Sequence, residues 1–263
     1  MTFPSPFAPA NPPIADWKGR RVWIIGASTG IGEATASALH ARGAQVHASA
    51  RNAGALVAFA DAHPGAACWP MDSTDRALVE ATAREILARG PLDLVVYCAG
   101  HYRALDAAAF DVDEMLRHNE VNYVGAVHVL GAVVPALVAA GRGHVSLVGS
   151  VAGFRGLPRS LGYGPTKAAL IQLAEIMHME LRPRGVGVSI VNPGFVRTPL
   201  TAQNDFHMPA LITPQEAASE MLKGWERGRF EMHFPRRFTW PMKLLAALPF
   251  ALYEPIVRKG TGS

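Results

Sequence analysis

Five β-favouring residues, Arg21-Val-Trp-Ile-Ile25, run directly into Gly26-Ala-Ser-Thr-Gly30-Ile-Gly32. A helical repeat of small and apolar positions follows (Ile31, Ala34, Thr35, Ala38, Leu39) and closes at Arg42-Gly43. No other stretch restricts the fold so strongly. A strand that ends in a glycine loop and opens a helix is the start of a βαβ unit, and βαβ units build parallel sheets. Glycines let the backbone approach a pyrophosphate, and a helix N-terminus offers unpaired N–H groups and positive partial charge. The spacing is G-x-x-x-G-x-G rather than the commoner G-x-G-x-x-G.

The alternation continues along the chain. Gln45–Ala50 reads as a second strand, 66–71 as a third ending at Asp72, and 75–89 as a helix. Residues 92–98 form a fourth strand running into Ala99-Gly100, and a long helical pattern covers about 111–140, limited by Pro135 and Gly141. A fifth strand spans 143–149, a helix runs from Tyr163 to about Arg182, and 186–191 is a sixth strand. Pro214 opens a last helix to about Trp225, and 230–234 is a seventh strand. Near-continuous apolar strands alternating with helices predict a doubly wound, Rossmann-type α/β fold. About seven parallel strands would carry helices on both faces. The expected organisation is a Pro-rich arm over 1–18, on the surface or disordered, a catalytic domain over 19–235, and an extension over 236–263.

Composition narrows the class. Of 263 residues, 49% are hydrophobic and 17% charged, which suits a globular chain with a sizeable core. Cys68 and Cys98 sit in apolar strand-like runs, so free buried thiols in a reducing, cytoplasmic setting are expected, with no disulfide and no metal framework. No signal peptide is evident. No window offers about 20 uninterrupted apolar residues, which argues against a spanning helix. Residues 223–259 concentrate basic charge, with Lys223, Arg227, Arg229, Arg236, Arg237, Lys243, Arg258 and Lys259 against Glu226, Glu231 and Glu254. No nucleic-acid recognition motif accompanies them. Three prolines (Pro241, Pro249, Pro255) are expected to break the tail into short pieces. Its mixture of basic and large apolar residues suits docking on a neighbouring subunit or the chain's own core. It also suits peripheral contact with an anionic membrane surface.

Two places point to chemistry. The second strand ends in Ala50, followed by Arg51 and Asn52, where an acidic residue would bind the ribose 2′-hydroxyl of NAD. An uncharged end beside a guanidinium suits a 2′-phosphate, so NADP(H) is expected over NAD(H). Tyr163 and Lys167 stand four residues apart on one helix face, with Ser150 at the end of the fifth strand. A fixed ammonium beside the phenol is expected to bring its pKa down toward neutrality, making a proton-transfer site. Asn122, a poor helix former in mid-pattern, predicts a local helix distortion.

Taken together, these features resemble the short-chain dehydrogenase/reductase family over roughly residues 19–235. They are the glycine loop, Asp72, Ala99-Gly100, Asn122, Ser150 ahead of Tyr163-x-x-x-Lys167, and Asn192-Pro-Gly-Phe-Val-Arg-Thr198. The resemblance implies that Gly26, Ser28, Thr29, Gly30, Ile31 and Gly32 form the cofactor loop. Arg51, Asn52, Asp72 and Ser73 would lie at the adenosine end, and Ala99 and Gly100 beside its ribose. Pro193, Gly194, Val196 and Thr198 would meet the nicotinamide. Tyr163 would be the general acid/base and Ser150 would orient the carbonyl. Lys167 would bind the nicotinamide ribose and Asn122 a water leading to solvent. The implied function is NADP(H)-dependent hydride transfer to or from a carbonyl or secondary alcohol. The alternative is an NADP-binding sensor with little turnover, against which the complete Ser-Tyr-Lys-Asn set speaks. Residues 199–213 would cover a lipophilic substrate. The helix after Tyr163, apolar nearly all round, implies a homodimer or homotetramer. One departure is visible: Tyr97-Cys98 stands where the family usually has Asn-Asn.

Overall fold

Along β1 (Arg21–Ile25) successive side chains leave the sheet on opposite sides, as the pleat requires. Val22 and Ile24 enter one apolar layer and Trp23 and Ile25 the other, all fully buried. The same division is repeated in β4 (Leu94–Tyr97), where Leu94 and Val96 face one way and Val95 and Tyr97 the other. Strands buried on both faces need helices on both faces, and the computed structural model, which describes residues 8–261, has them. The seven strands are β1, β2 (Gln45–Ala50), β3 (Ala67–Pro70), β4, β5 (His144–Val148), β6 (Gly187–Pro193) and β7 (Glu231–Phe234). They pair in parallel throughout, in the order β3-β2-β1-β4-β5-β6-β7.

Helices α1 (Gly30–His40), α2 (Ala53–Ala62) and α7 (Pro214–Glu226) cover the layer containing Val22 and Ile24. The opposite layer is covered by α3 (Arg76–Ala88), α5 (Gly125–Ala140) and α6 (Tyr163–Leu181), with α4 (Val112–Asn119) leading into α5. Between α4 and α5 the chain makes a π-helical turn, Glu120–Val124, so Asn122 sits in a helix distortion. Two further helices, α8 (Arg236–Ala246) and α9 (Phe250–Thr261), end the described chain.

Several expectations need correction. Helix α2 had no counterpart in the sequence reading, because Gly54 weakens the pattern and only Leu56 and Phe59 are buried. Asn52 starts it by accepting a hydrogen bond from the Ala55 N–H. Residues 8–18 do not form a surface arm. Asn11 bonds both the N–H and the carbonyl of Val188, and Ile14 and Trp17 join the core, with Trp17 edge-on to Trp225. Pro-rich residues 1–7 lie outside the described residues. Pro241 and Pro255 do not break the tail but are built into α8 and α9; only Pro249 stands between helices. Val112–Ala140 forms a continuous helical stretch that is long and apolar enough to cross a membrane by length and composition. Here its face bearing Val129, Val133 and Leu137 lies under the sheet, and Glu114, His118 and Asn122 are buried along it.

Two core histidines make stability depend on pH. His144 reaches Ser189 Oγ (2.8 Å), and burial brings its pKa down to about 3. His47 accepts from the Trp69 indole N–H (3.1 Å), and burial, then Arg21 and Arg89, lower its pKa to about 4. Both lie below the free value of 6.5, so on acidification the unfolded chain binds protons first. Their contribution is present above about pH 6.5 and lost as pH falls toward their folded values. Urea midpoints should therefore fall steadily from pH 7 to pH 5. His144→Gln should flatten that slope even if it lowers the midpoint at pH 7; an unchanged slope would contradict the assignment.

Candidate active site

The strand order reverses direction between β1 and β4, and a crevice opens beyond their C-terminal ends. There the turn after β1 passes so close to β4 that a Cβ on Gly26, whose φ is +90°, would stand 2.6 Å from the Ala99 nitrogen. A Cβ on Gly32 would fall 2.1 Å from the Gly26 carbonyl oxygen. Only glycine satisfies both approaches. The first turn of α1 receives no side-chain cap from Thr29, which leaves its N–H groups directed at the crevice. The crevice has a volume of about 510 Å³. Its lining includes every residue expected at the cofactor: Gly26, Ser28, Thr29, Gly30, Ile31, Gly32, Arg51, Asn52, Asp72, Ser73, Ala99, Gly100, Pro193, Gly194, Val196 and Thr198. This donor-rich glycine cradle fits a dinucleotide. Arg51 at its far end is exposed and forms no ion pair among the described residues. Asn52 lines the crevice while its side-chain oxygen is already used to cap α2.

Ser150, Tyr163 and Lys167 line the other end. Ser150 begins the segment after β5, where its Oγ accepts from the Ala152 N–H (3.1 Å), and α6 starts at Tyr163. Lys167, only 3% exposed, donates from Nζ to the Val148 carbonyl (2.8 Å) and lies 5.4 Å from the centre of the Tyr163 ring. The electrostatics differ from the sequence expectation. Burial pushes the Tyr163 phenol up to about 12, and the hydrogen bond with Ser150 only partly opposes it. Burial likewise lowers Lys167 to about 8. The ammonium faces the ring and a backbone carbonyl, and desolvation of both groups outweighs the attraction between them.

Asn122 lies behind the crevice, fully buried. Its Oδ1 accepts from the His101 N–H (2.7 Å), and its Nδ2 donates to the His101 carbonyl and to Thr166 Oγ1 (3.0 Å each). The side chain therefore clamps the segment after β4 onto α6. Tyr97, the departure from the family pattern, supports the same clamp. Its hydroxyl donates to the Val121 carbonyl inside the π-helical turn and meets Ser73 Oγ at 3.1 Å. It fills space that a Cβ on Gly125 would enter, 2.3 Å from the hydroxyl oxygen.

Residues 20–208 match the short chain dehydrogenase family. The chain belongs to it. An uncharacterised oxidoreductase of Myxococcus xanthus is 35% identical over 252 residues, covering 94% of this chain and 99% of its own. A short-chain dehydrogenase from Burkholderia cenocepacia, solved in complex with NADP, superimposes with a TM-score of 0.81 at 28% identity, over 92% of this chain and 99% of that one. A Streptomyces avermitilis short-chain dehydrogenase gives 0.79 at 25% identity, over 93% and 99%.

In this short-chain dehydrogenase the crevice also holds residues that the sequence reading did not single out, notably His101 and Tyr102, which directly follow Ala99-Gly100. Tyr102 packs edge-on against Tyr163, with ring centres 5.1 Å apart. Segment 199–213 closes over it: Gln203 donates to the Tyr102 carbonyl (2.7 Å), and Arg159 pairs with Asp205 (2.8 Å). The tail completes the wall. Phe238 of α8 packs against Gly194 and the Phe195 ring, which in turn meets Phe206 of the covering segment. Arg155 Nη1 donates to the carbonyls of Ala246 and Leu248 and stacks on Tyr253, whose hydroxyl donates to the Gly156 carbonyl (2.7 Å). The tail is thus docked on its own catalytic domain.

Removing the Tyr97 hydroxyl leaves the Val121 carbonyl without its partner in a buried site. Tyr97→Phe should cost about 1–3 kcal/mol of stability, the range for stranding a buried polar group. Denaturant unfolding would measure it, and an undiminished midpoint would show that the π-helical turn does not need this bond.

Proposed function

We propose that this dehydrogenase reduces a carbonyl with NADPH, using Tyr163 as the acid. The observation that carries the reading is the convergence of Ser150, Tyr163 and Lys167 at one end of the glycine-cradled crevice. When bound, the nicotinamide supplies the hydride. Ser150 and Tyr163 hold the substrate oxygen between two hydroxyls. With its pKa held near 12, Tyr163 carries its proton at neutral pH, the form required to protonate an oxygen that develops alkoxide character. Lys167 is the adjacent proton reservoir, since at about 8 it gives up and regains a proton near neutrality. A phenol this far above neutral pH suits reduction better than oxidation, where a base is needed.

The substrate is apolar in this reading, because Tyr102, Pro199 and Leu200 line its end of the crevice. Homo-oligomers form through the α4–α6 side, where Val112, Leu116, Val127, Ile176 and Met179 are exposed. The enzyme is cytoplasmic, in keeping with two free thiols. The tail's exposed Trp240, Leu244 and Phe250 and neighbouring Arg237 would serve any peripheral contact with an anionic membrane.

Arg51 selects NADP(H). A single charge-assisted phosphate contact is worth about 1.5–3 kcal/mol, or roughly ten- to a hundredfold in affinity. Fluorescence titration should give tighter binding of NADPH than NADH, with most of the difference erased in Arg51→Ala. Equal affinities in the unaltered protein would exclude this role.

For catalysis, NADPH oxidation should be followed across a panel of lipophilic ketones. Tyr163→Phe should lower kcat at least ~10²-fold while NADPH still binds. Undiminished turnover in that variant would overturn the mechanism. NADPH binding without turnover on any ketone would favour the sensor reading instead.

A further inference from the structure

Lys167 is sealed from solvent, yet each reduction removes one proton from the Tyr163–Lys167 pair. Beside it, a Cβ placed on Gly100 would stand 3.9 Å from Lys167 Nζ and 3.7 Å from Asn122 Oδ1. The next residue is His101. Asn122 grips both its N–H and its carbonyl, so the backbone that carries the imidazole is fixed. His101 lines the same crevice as Tyr163 and Lys167, whereas Glu114 does not and stands behind it, paired through Oε1 with His101 Nε2. A carboxylate holding Nε2–H leaves Nδ1 as the nitrogen that gains and loses a proton. Burial raises the Glu114 carboxyl, but its bond with His101 and the charges around it outweigh that and keep it below the usual range, hence ionised. On the outer side, Arg103, with 59% of its side chain exposed, reaches Glu114 Oε2 at 3.5 Å.

We infer that His101, backed by Glu114, is the group through which the Tyr163–Lys167 pair exchanges protons with solvent. The inference rests on the reading of Tyr163 as the acid. In each turnover Tyr163 gives its O–H proton to the substrate oxygen and regains one from the Lys167 ammonium. Lys167 is recharged from the His101 imidazolium, which takes its proton from water or a buffer acid. No electrons move in these steps. Sequence position alone does not reveal this role, because His101 follows a glycine pair and its partner Glu114 is thirteen residues away.

A metal site is the competing use of the cluster, since ligand atoms of His101, Glu114 and His118 lie within 4.8 Å of one another. Hydrogen bonding speaks against it. His118 Nδ1 donates to the Glu114 carbonyl (2.7 Å), and its Nε2 accepts the Arg103 N–H (3.1 Å). Both ring nitrogens are committed, and only two ligands remain.

The test replaces His101 with Gln, which can still bond Glu114 but cannot relay a proton. With 15N-lysine-labelled protein, solvent exchange of the Lys167 ammonium should slow roughly tenfold in His101→Gln, a smaller loss than removal of the acid itself. Turnover of the best ketone in dilute buffer should fall similarly, with KM little changed, and rise again on adding imidazole. Should His101→Gln fold poorly, Glu114→Gln should slow exchange in the same direction. Exchange at the unaltered rate would overturn the inference. So would a turnover loss that imidazole cannot relieve, or stoichiometric zinc uptake abolished by His101→Gln. Tyr163→Phe separates the two levels: it should stay inactive at every imidazole concentration, and normal turnover there would sink the underlying mechanism instead.

Discussion

The close passage of two backbones at the reversal of strand order sets everything else in this molecule. The turn after β1 lies against the end of β4 with room for hydrogen atoms but no Cβ at Gly26. Because the strands on either side of that point diverge to opposite edges, their ends leave a crevice that no helix fills. One end of the crevice is made of N–H groups and glycines, the other of Ser150, Tyr163 and Lys167. Phosphate recognition and proton chemistry are therefore held apart by the sheet itself, without a separate scaffold for either.

Burial decides the charge state of the reacting groups. A phenol near 12 and an ammonium near 8 are what desolvation does when each group has one modest partner. The simple expectation that a neighbouring ammonium must lower a phenol fails here because the Lys167 headgroup is turned toward the Val148 carbonyl and the ring face. Polar side chains in this region act mainly on the backbone: Asn122 on His101, Tyr97 on Val121. Such contacts leave the chemistry to a few groups while fixing where their backbones run.

Much of this was legible in the sequence because it depends on spacing. Strand positions followed from apolar runs, and the glycine cradle from its context between strand and helix. Asn122 announced the helix distortion through its poor fit to a helix interior. Other parts depend on contacts between distant residues and leave no local pattern. Helix α2 is short, contains Gly54 and buries only two side chains. Asn11 is just one polar residue among prolines until Val188 meets it. His101 has no sequence neighbour that marks it, and its meaning appears only when Glu114 and Asn122 arrive from the following helix. Pro241 and Pro255 misled because a proline costs a helix one bond and a bend, which packing of α8 and α9 on the domain tolerates.

The docking of α8 and α9 has a consequence for how such an enzyme can diversify. Phe238, Phe195 and Phe206 form a row joining the tail, the end of β6 and the covering segment, while the Arg155 clamp fastens the helices from the far side. The wall facing the reactant is thus written in the last stretch of the gene, after every residue of the cofactor cradle and the Ser-Tyr-Lys set. Recombination or drift confined to that stretch would change which molecules are admitted and leave the inherited chemistry intact.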